Sequence, residues 1–282
     1  MLGPSILVRS MSAPTIEGRR GNTWQYHSRS DRHSKRACWG VLLDLLMESP
    51  LLRQHVAAGQ VGFGINHTMI DYINGRKKDL DLVLYRSSPE ELGTITFDSL
   101  VHKYDLLLTK KEQAQLSTLP SLRVATPASV VLALEAKAAM TSHGKAVPRL
   151  FDELNSSHLT IHGAADTAIA AGLVMVNAAS QFVSSDINKW DLAVMPAEYS
   201  TNRQPLATVK VIEKVAQLRR RTKTGQDGYD ALGITLVHGA NDGTPFTLAP
   251  PPEAVKRICD LLSYDKMIRR MSALYAARFP QA

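Results

Sequence analysis

The chain has 282 residues, of which 44% are apolar and 21% charged, as in an ordinary globular protein with a sizeable core. No stretch approaches the roughly 20 consecutive apolar residues of a membrane-spanning helix, so no membrane partner is expected. The net charge of +7 favours a polyanionic partner without establishing one. Two cysteines far apart, Cys38 and Cys259, exclude a disulfide framework, and we expect a cytoplasmic protein.

The N-terminal segment, residues 1–30, is rich in Ser, Pro, Gly and Arg and lacks sustained periodicity. This composition predicts a flexible arm. Residues 31–282 are expected to form a single domain that begins with a helix. Its apolar residues recur at helical spacing after Ser30 or Asp31, either of which suits an N-cap, and Ser49-Pro50 predicts its end.

A hairpin is predicted next. Residues 61–65 favour a strand, which residues 69–73 either continue or return. Asn74-Gly75 is a strong turn signal, and a second extended run covers 77–85. Residues 87–127 are expected to be an insertion with a short strand and a short helix.

The second half of the core begins with an aliphatic strand over 130–137. Pro148 disrupts a helix interior but suits a first turn, so a helix is expected from near Val147. A buried strand over 171–177 completes a core of about residues 31–180, and residues 206–280 add a C-terminal strand and helices.

Two of these strands carry charge where a buried strand should have none. In the strand 77–85, Asp79 and Asp81 are expected to share one face, and the leucines at 80, 82 and 84 the other. In the strand 130–137, Glu135 and Lys137 follow five aliphatic residues and point the same way. A buried carboxylate is retained when it is paired or binds a metal, so the pattern predicts either a metal site or an ion-paired structural cluster.

Asp81 together with Glu135-Ala136-Lys137 resembles the PD-(D/E)xK signature of the restriction-endonuclease-like nuclease superfamily. The resemblance implies an α/β (α+β) fold whose restriction-endonuclease-like core is a mixed central β-sheet flanked by helices. The chain departs from the pattern at Leu80, which stands where the signature has proline. The gap of 54 residues between Asp81 and Glu135 is also long.

The resemblance also implies roles for these residues. Asp81, Glu135 and the carbonyl of Ala136 would hold Mg²⁺, for which Mn²⁺ can substitute, and Asp79 is a candidate for a second ion. Lys137 would orient the attacking water or stabilise charge on the phosphate. The residues expected to contact nucleic acid are Lys77, Lys78, Lys145 and Arg149.

The expected function is therefore that of a Mg²⁺-dependent DNA endonuclease of the restriction or defence type. Two cuts on a duplex favour two sites related by a two-fold axis, which predicts a homodimer. Three alternatives stay open at this point: a repair or recombination nuclease (an exonuclease or a resolvase), a catalytically silent nucleic-acid-binding protein of the same fold, and a metal-free structural protein.

Overall fold

The computed structural model describes residues 1–71, 75–125 and 129–281, apart from the side chain of Arg76. The helices are α1 (Gly3–Met11), α2 (Arg32–Glu48), α3 (Pro50–Ala57), α4 (Leu100–Lys103), α5 (Lys110–Leu116), α6 (His143–Ala164), α7 (Leu206–Ala216), α8 (Lys256–Leu261) and α9 (Tyr264–Arg278). The strands are β1 (Ile16–Glu17), β2 (Thr23–Trp24), β3 (Val61–Asp71), β4 (Arg76–Arg86), β5 (Leu92–Thr96), β6 (Arg123–Ala125), β7 (Val130–Ala139), β8 (Ile169–Asn177), β9 (Gln181–Val183), β10 (Tyr199–Thr201), β11 (Ala231–His238) and β12 (Thr247–Leu248).

A mixed sheet of eight strands runs through the described part of the chain in the order β12-β11-β8-β7-β4-β3-β6-β5. β3, β4 and β7 are antiparallel neighbours. β7, β8 and β11 are parallel, and α6 provides the crossover from β7 to β8. The predicted class, a mixed sheet flanked by helices, is confirmed.

Helices cover both faces of this sheet. One apolar cluster joins α1, α2 and α9 to one face, and a second joins α6 and α7 to the other. The central strands therefore need apolar residues on both sides, which explains their unbroken aliphatic runs. Residues 131–134 of β7 are buried, as is every residue of β8.

The N-terminal segment is not the flexible arm that its composition predicts. α1 packs against α2 and buries Ile6, Leu7 and Met11. Buried Asp44 of α2 caps the start of α1, because its carboxylate accepts hydrogen bonds from the backbone N–H groups of Leu2 and Gly3 at 2.7 and 2.8 Å. The local sequence could not show this cap, since the capping residue lies more than forty positions away.

The predicted start of α2 is confirmed, since the helix follows Asp31 and ends before Ser49. β3 and β4 form the predicted antiparallel pair, while Asn74 of the expected turn lies outside the described residues. α6 begins at His143, one turn earlier than predicted, and Pro148 lies inside it. The insertion contributes β5, β6, α4 and α5, and places its strands at the sheet edge beside β3.

The alternation of side chains along β4 is interrupted at Asp81. Leu82 and Leu84 pack in the cluster with α2, whereas Leu80 packs in the cluster with α6, so the three leucines do not share a face as expected. On β3, Asn66 occupies the opposite position and has a positive φ of 51°. It is missing from the register between Ile65 and His67. The sheet is therefore irregular at the position of the predicted site.

Among the helices that the structure describes, none has the length and apolar character needed to cross a bilayer.

Candidate active site

The ends of β4 and β7 that carry the predicted site lie side by side. The last backbone pair before the charged residues is Leu82 opposite Leu134, and the same register continued places Asp81 opposite Glu135. Here a side chain takes over from the backbone ladder, because Asp81 Oδ2 accepts a hydrogen bond from the N–H of Ala136 at 2.8 Å. The adjacency expected from the sequence is present.

Glu135 is the most deeply buried charged group of this site, with 1% of its surface exposed. Its Oε1 lies 2.6 Å from Lys137 Nζ and 4.0 Å from Lys78 Nζ. Its Oε2 is buried and has no hydrogen-bond partner among the described residues. A buried carboxylate oxygen without a partner is costly, so this atom marks a position where a cation or a proton stabilises the site.

The pKa values of the two carboxyl groups are both raised. Burial and then the nearby charge of Asp81 raise the pKa of Glu135 to about 7, although the two lysines oppose this. Burial also raises the pKa of Asp81, against the opposing effects of the Ala136 N–H, the Lys137 charge and the Ser34 hydroxyl. A divalent cation bound between the two groups would offset the cost of ionising both of them.

Lys137 bridges two carboxylates. Its Nζ lies 2.6 Å from Glu135 Oε1 and 3.1 Å from Glu153 Oε2, a residue of α6. Burial acts to lower the pKa of Lys137, but Glu135 and the other carboxylates outweigh it and raise the pKa above its ordinary value. Lys137 is therefore a fixed positive charge at neutral pH.

Lys78 takes a different place from the nucleic-acid contact predicted for it. Its Nζ donates hydrogen bonds to the backbone carbonyl of Glu153 at 2.6 Å and to the Ser156 hydroxyl at 2.8 Å. Burial lowers the pKa of Lys78, and Glu135 opposes that effect. The side chain ties β4 to α6 beside Glu135.

The other predicted residues lie around the site. Asp79 is exposed and accepts a hydrogen bond from the Thr68 hydroxyl at 2.5 Å. Among the described residues, no hydrogen bond or ion pair joins it to Asp81 or Glu135. Lys77 and Lys145 are exposed, on β4 and at the start of α6. Arg149 is exposed too, and its Nε lies 2.6 Å from Glu153 Oε1.

The donor set fits a hard cation better than zinc. The described residues contain no group of three or more His, Cys, Asp or Glu side chains that could hold a metal. Mg²⁺ keeps several waters and needs only one or two carboxylates, which Asp81 and Glu135 would supply. The unpartnered Oε2 of Glu135 and the raised pKa values of both acids fit such an ion.

Sequence reasoning missed two residues of this cluster, Glu153 and Ser34. Arg149 and Glu153 are four apart, a spacing that indicates an ion pair on a helix, but nothing local shows that the other oxygen of Glu153 faces Lys137. Ser34 lies in the first turn of α2, and nothing in the local sequence indicates that its hydroxyl contacts Asp81.

Comparison of the chain with protein-family models, with curated proteins and with solved structures gives no match.

Proposed function

We propose that this protein is a divalent-metal-dependent nuclease that hydrolyses DNA phosphodiester bonds. The observation that carries the proposal is the meeting of Asp81, Glu135 and Lys137 at adjacent ends of two central strands, where one buried carboxylate oxygen has no hydrogen-bond partner in the described part of the chain. Carboxylates kept at raised pKa values beside a permanent cation are typical of catalytic sites.

The order of elements around the site supports the same class. α2 precedes an antiparallel β3–β4 pair, β4 pairs with β7, and α6 leads back to the parallel strand β8. The acid-bearing strand and the Glu-x-Lys strand are thus the central antiparallel pair. This arrangement agrees with the resemblance of Asp81 and Glu135-Ala136-Lys137 to the restriction-endonuclease-like superfamily.

Each residue has a definite task in this reaction. Hydrolysis forms a bond from water oxygen to phosphorus, breaks the ester P–O bond and leaves an alkoxide that takes up a proton. Asp81 and Glu135, with the Ala136 carbonyl as a third donor, would hold Mg²⁺. When bound, this ion lowers the pKa of a coordinated water and stabilises phosphoryl charge. Lys137 donates hydrogen bonds to the attacking water or to a phosphoryl oxygen.

We propose that exposed basic side chains around the site contact the phosphate backbone. Lys77 and Lys145 have no assigned ion pair among the described residues and are the candidates of first choice. Within the nuclease class, we propose a cytoplasmic restriction or defence enzyme that acts as a homodimer, since cutting both strands of a duplex favours two symmetry-related sites.

A cleavage assay tests the proposal. Supercoiled plasmid, single-stranded DNA and RNA are incubated with the protein in Mg²⁺, in Mn²⁺ and in EDTA. We expect metal-dependent conversion of plasmid to nicked or linear forms, and a loss of at least about 100-fold in rate for Lys137→Met. Lys111→Met, which removes an exposed lysine on α5, is the matched control. If all substrates stay intact with every metal, the proposal is wrong.

A catalytically silent nucleic-acid-binding protein is the second candidate, because the ammonium group of Lys137 is already ion-paired with both Glu135 and Glu153. Binding that weakens steeply with salt, without cleavage, identifies that case. Progressive loss of DNA from its ends identifies an exonuclease instead.

A further inference from the structure

The position of Lys137 depends on a residue outside the predicted signature. Glu153 of α6 presents one oxygen to each of two cations: Oε2 lies 3.1 Å from Lys137 Nζ, and Oε1 lies 2.6 Å from Arg149 Nε. Its backbone carbonyl accepts the hydrogen bond from Lys78. Glu153 is thus fixed from two sides and faces the site.

Binding of a divalent cation to Glu135 would weaken the ion pair between Glu135 and Lys137. The pair is short, 2.6 Å through Oε1, and the other oxygen of the same carboxylate is buried without a hydrogen-bond partner among the residues that the structure describes. A divalent cation on Glu135 withdraws negative charge from this carboxylate and repels the ammonium group. The second carboxylate within reach of Lys137, that of Glu153, keeps its own charge, because burial is outweighed by Arg149 and Lys137, which hold the pKa of Glu153 below its usual value.

We propose that Glu153 is a positioning residue that holds the Lys137 ammonium group at the site once Glu135 has bound its cation. The inference rests on the proposed function, since it assigns a support for the lysine of that same site. It also changes the role of Arg149 from a phosphate contact to a support for Glu153. With 83% of its side chain exposed, Arg149 stabilises Glu153 less than the hydrogen bond from Lys78 to the Glu153 carbonyl does.

Steady-state cleavage kinetics give the first test. We expect Glu153→Gln to lower kcat about 10- to 100-fold while KM changes less than about two-fold, because a misplaced lysine affects the transition state rather than substrate binding. Asp152→Asn removes the neighbouring exposed carboxylate on the same helix and is expected to leave both constants unchanged. Thermal unfolding midpoints of the two variants are compared to exclude a loss of fold.

A spectroscopic test needs no activity. In protein labelled with ¹⁵N-lysine, the ammonium signal of Lys137, assigned by its loss in Lys137→Met, is expected to persist when Mg²⁺ is added to the wild type. In Glu153→Gln the same addition is expected to remove it, because the freed ammonium group exchanges with water.

The two readouts separate the possible failures. If the wild type cleaves nothing, the proposed nuclease function fails, and the ammonium signal still decides the role of Glu153. If the Lys137 signal responds to Mg²⁺ in the same way in the wild type and in Glu153→Gln, the inference is wrong. It is also wrong if Glu153→Gln keeps the kcat of the wild type.

Discussion

At the scale of single residues, the carboxyl group of Glu135 carries the largest electrostatic cost in the site. Its ordinary pKa of 4.5 applies to the unfolded chain, whereas burial and the charge of Asp81 raise its pKa in the fold to about 7. Between these values Glu135 binds more protons in the folded protein than in the unfolded chain, so the contribution of this group to stability is fully present below pH 4.5 and is lost as the pH rises through 7.

Glu135→Gln removes this titration. We expect the variant to gain stability relative to the wild type as the pH rises from about 4.5 to about 8, by up to about 3 kcal/mol. Urea unfolding at several pH values in EDTA measures the difference. Glu253→Gln, at an exposed position, serves as the control. Parallel stability curves for wild type and Glu135→Gln would show that Glu135 ionises freely in the fold.

At the scale of elements, the irregular point of the sheet lies where β3, β4 and α2 meet. Asn66 adopts a left-handed backbone conformation opposite Asp81, and its amide donates a hydrogen bond to Asp31 Oδ2 at 3.0 Å. The interruption turns Leu80 to the α6 face while Leu82 keeps the α2 face. The leucines before and after Asp81 therefore face opposite sides of the sheet.

The backbone requirement at Asn66 is testable with two substitutions that both remove the hydrogen bond to Asp31. Glycine adopts a positive φ without strain and alanine does not, so Asn66→Ala is expected to be about 1 kcal/mol less stable than Asn66→Gly. Chemical denaturation compares the pair. Equal stability of the two variants would mean that β3 tolerates a regular strand at this position.

Local sequence pattern predicted the central strands and the adjacency of their charged ends, but not the contacts that extend the helices. The aliphatic run before Glu135 indicates a buried strand because helices cover both faces of β7, and the charges at its end stand out for that reason. The first turn of α6 was missed because distant groups stabilise it: Asn202 Oδ1 accepts the Ser142 N–H at 3.2 Å, and the buried His143 ring contacts Asn177. α1 was missed for the same reason, since its cap is Asp44.

At the scale of the whole molecule, a buried ion cluster connects the C-terminal helix to the sheet. Asp230, which is 3% exposed, lies 3.0 Å from Arg221 Nε and 2.6 Å from an Arg278 nitrogen. It also accepts a hydrogen bond from the N–H of Ala170 at 2.9 Å. The cluster joins α9, β8 and the segment before β11.

Asp230→Ala leaves the buried Arg221 without this carboxylate, and we expect a loss of about 3–5 kcal/mol in unfolding free energy. Calorimetric or denaturant unfolding measures it. Asp260→Ala, at an exposed position on α8, is expected to change stability by less than about 0.5 kcal/mol. A small effect of Asp230→Ala would mean that water reaches the freed guanidinium groups.

We propose that Asp81 and Glu135 form one divalent-cation site where β4 meets β7. Mn²⁺ titration followed by electron paramagnetic resonance, with Mg²⁺ as competitor, measures that site without any substrate. The expected result is a Mn²⁺ site in the wild type that Mg²⁺ displaces. Asp81→Asn and Glu135→Gln should weaken it at least about ten-fold, and Asp79→Asn, which changes an exposed carboxylate bonded to Thr68, should not. A wild type that binds no Mn²⁺, or an Asp81→Asn variant that binds it as tightly as the wild type, would show that these two carboxylates do not form a cation site.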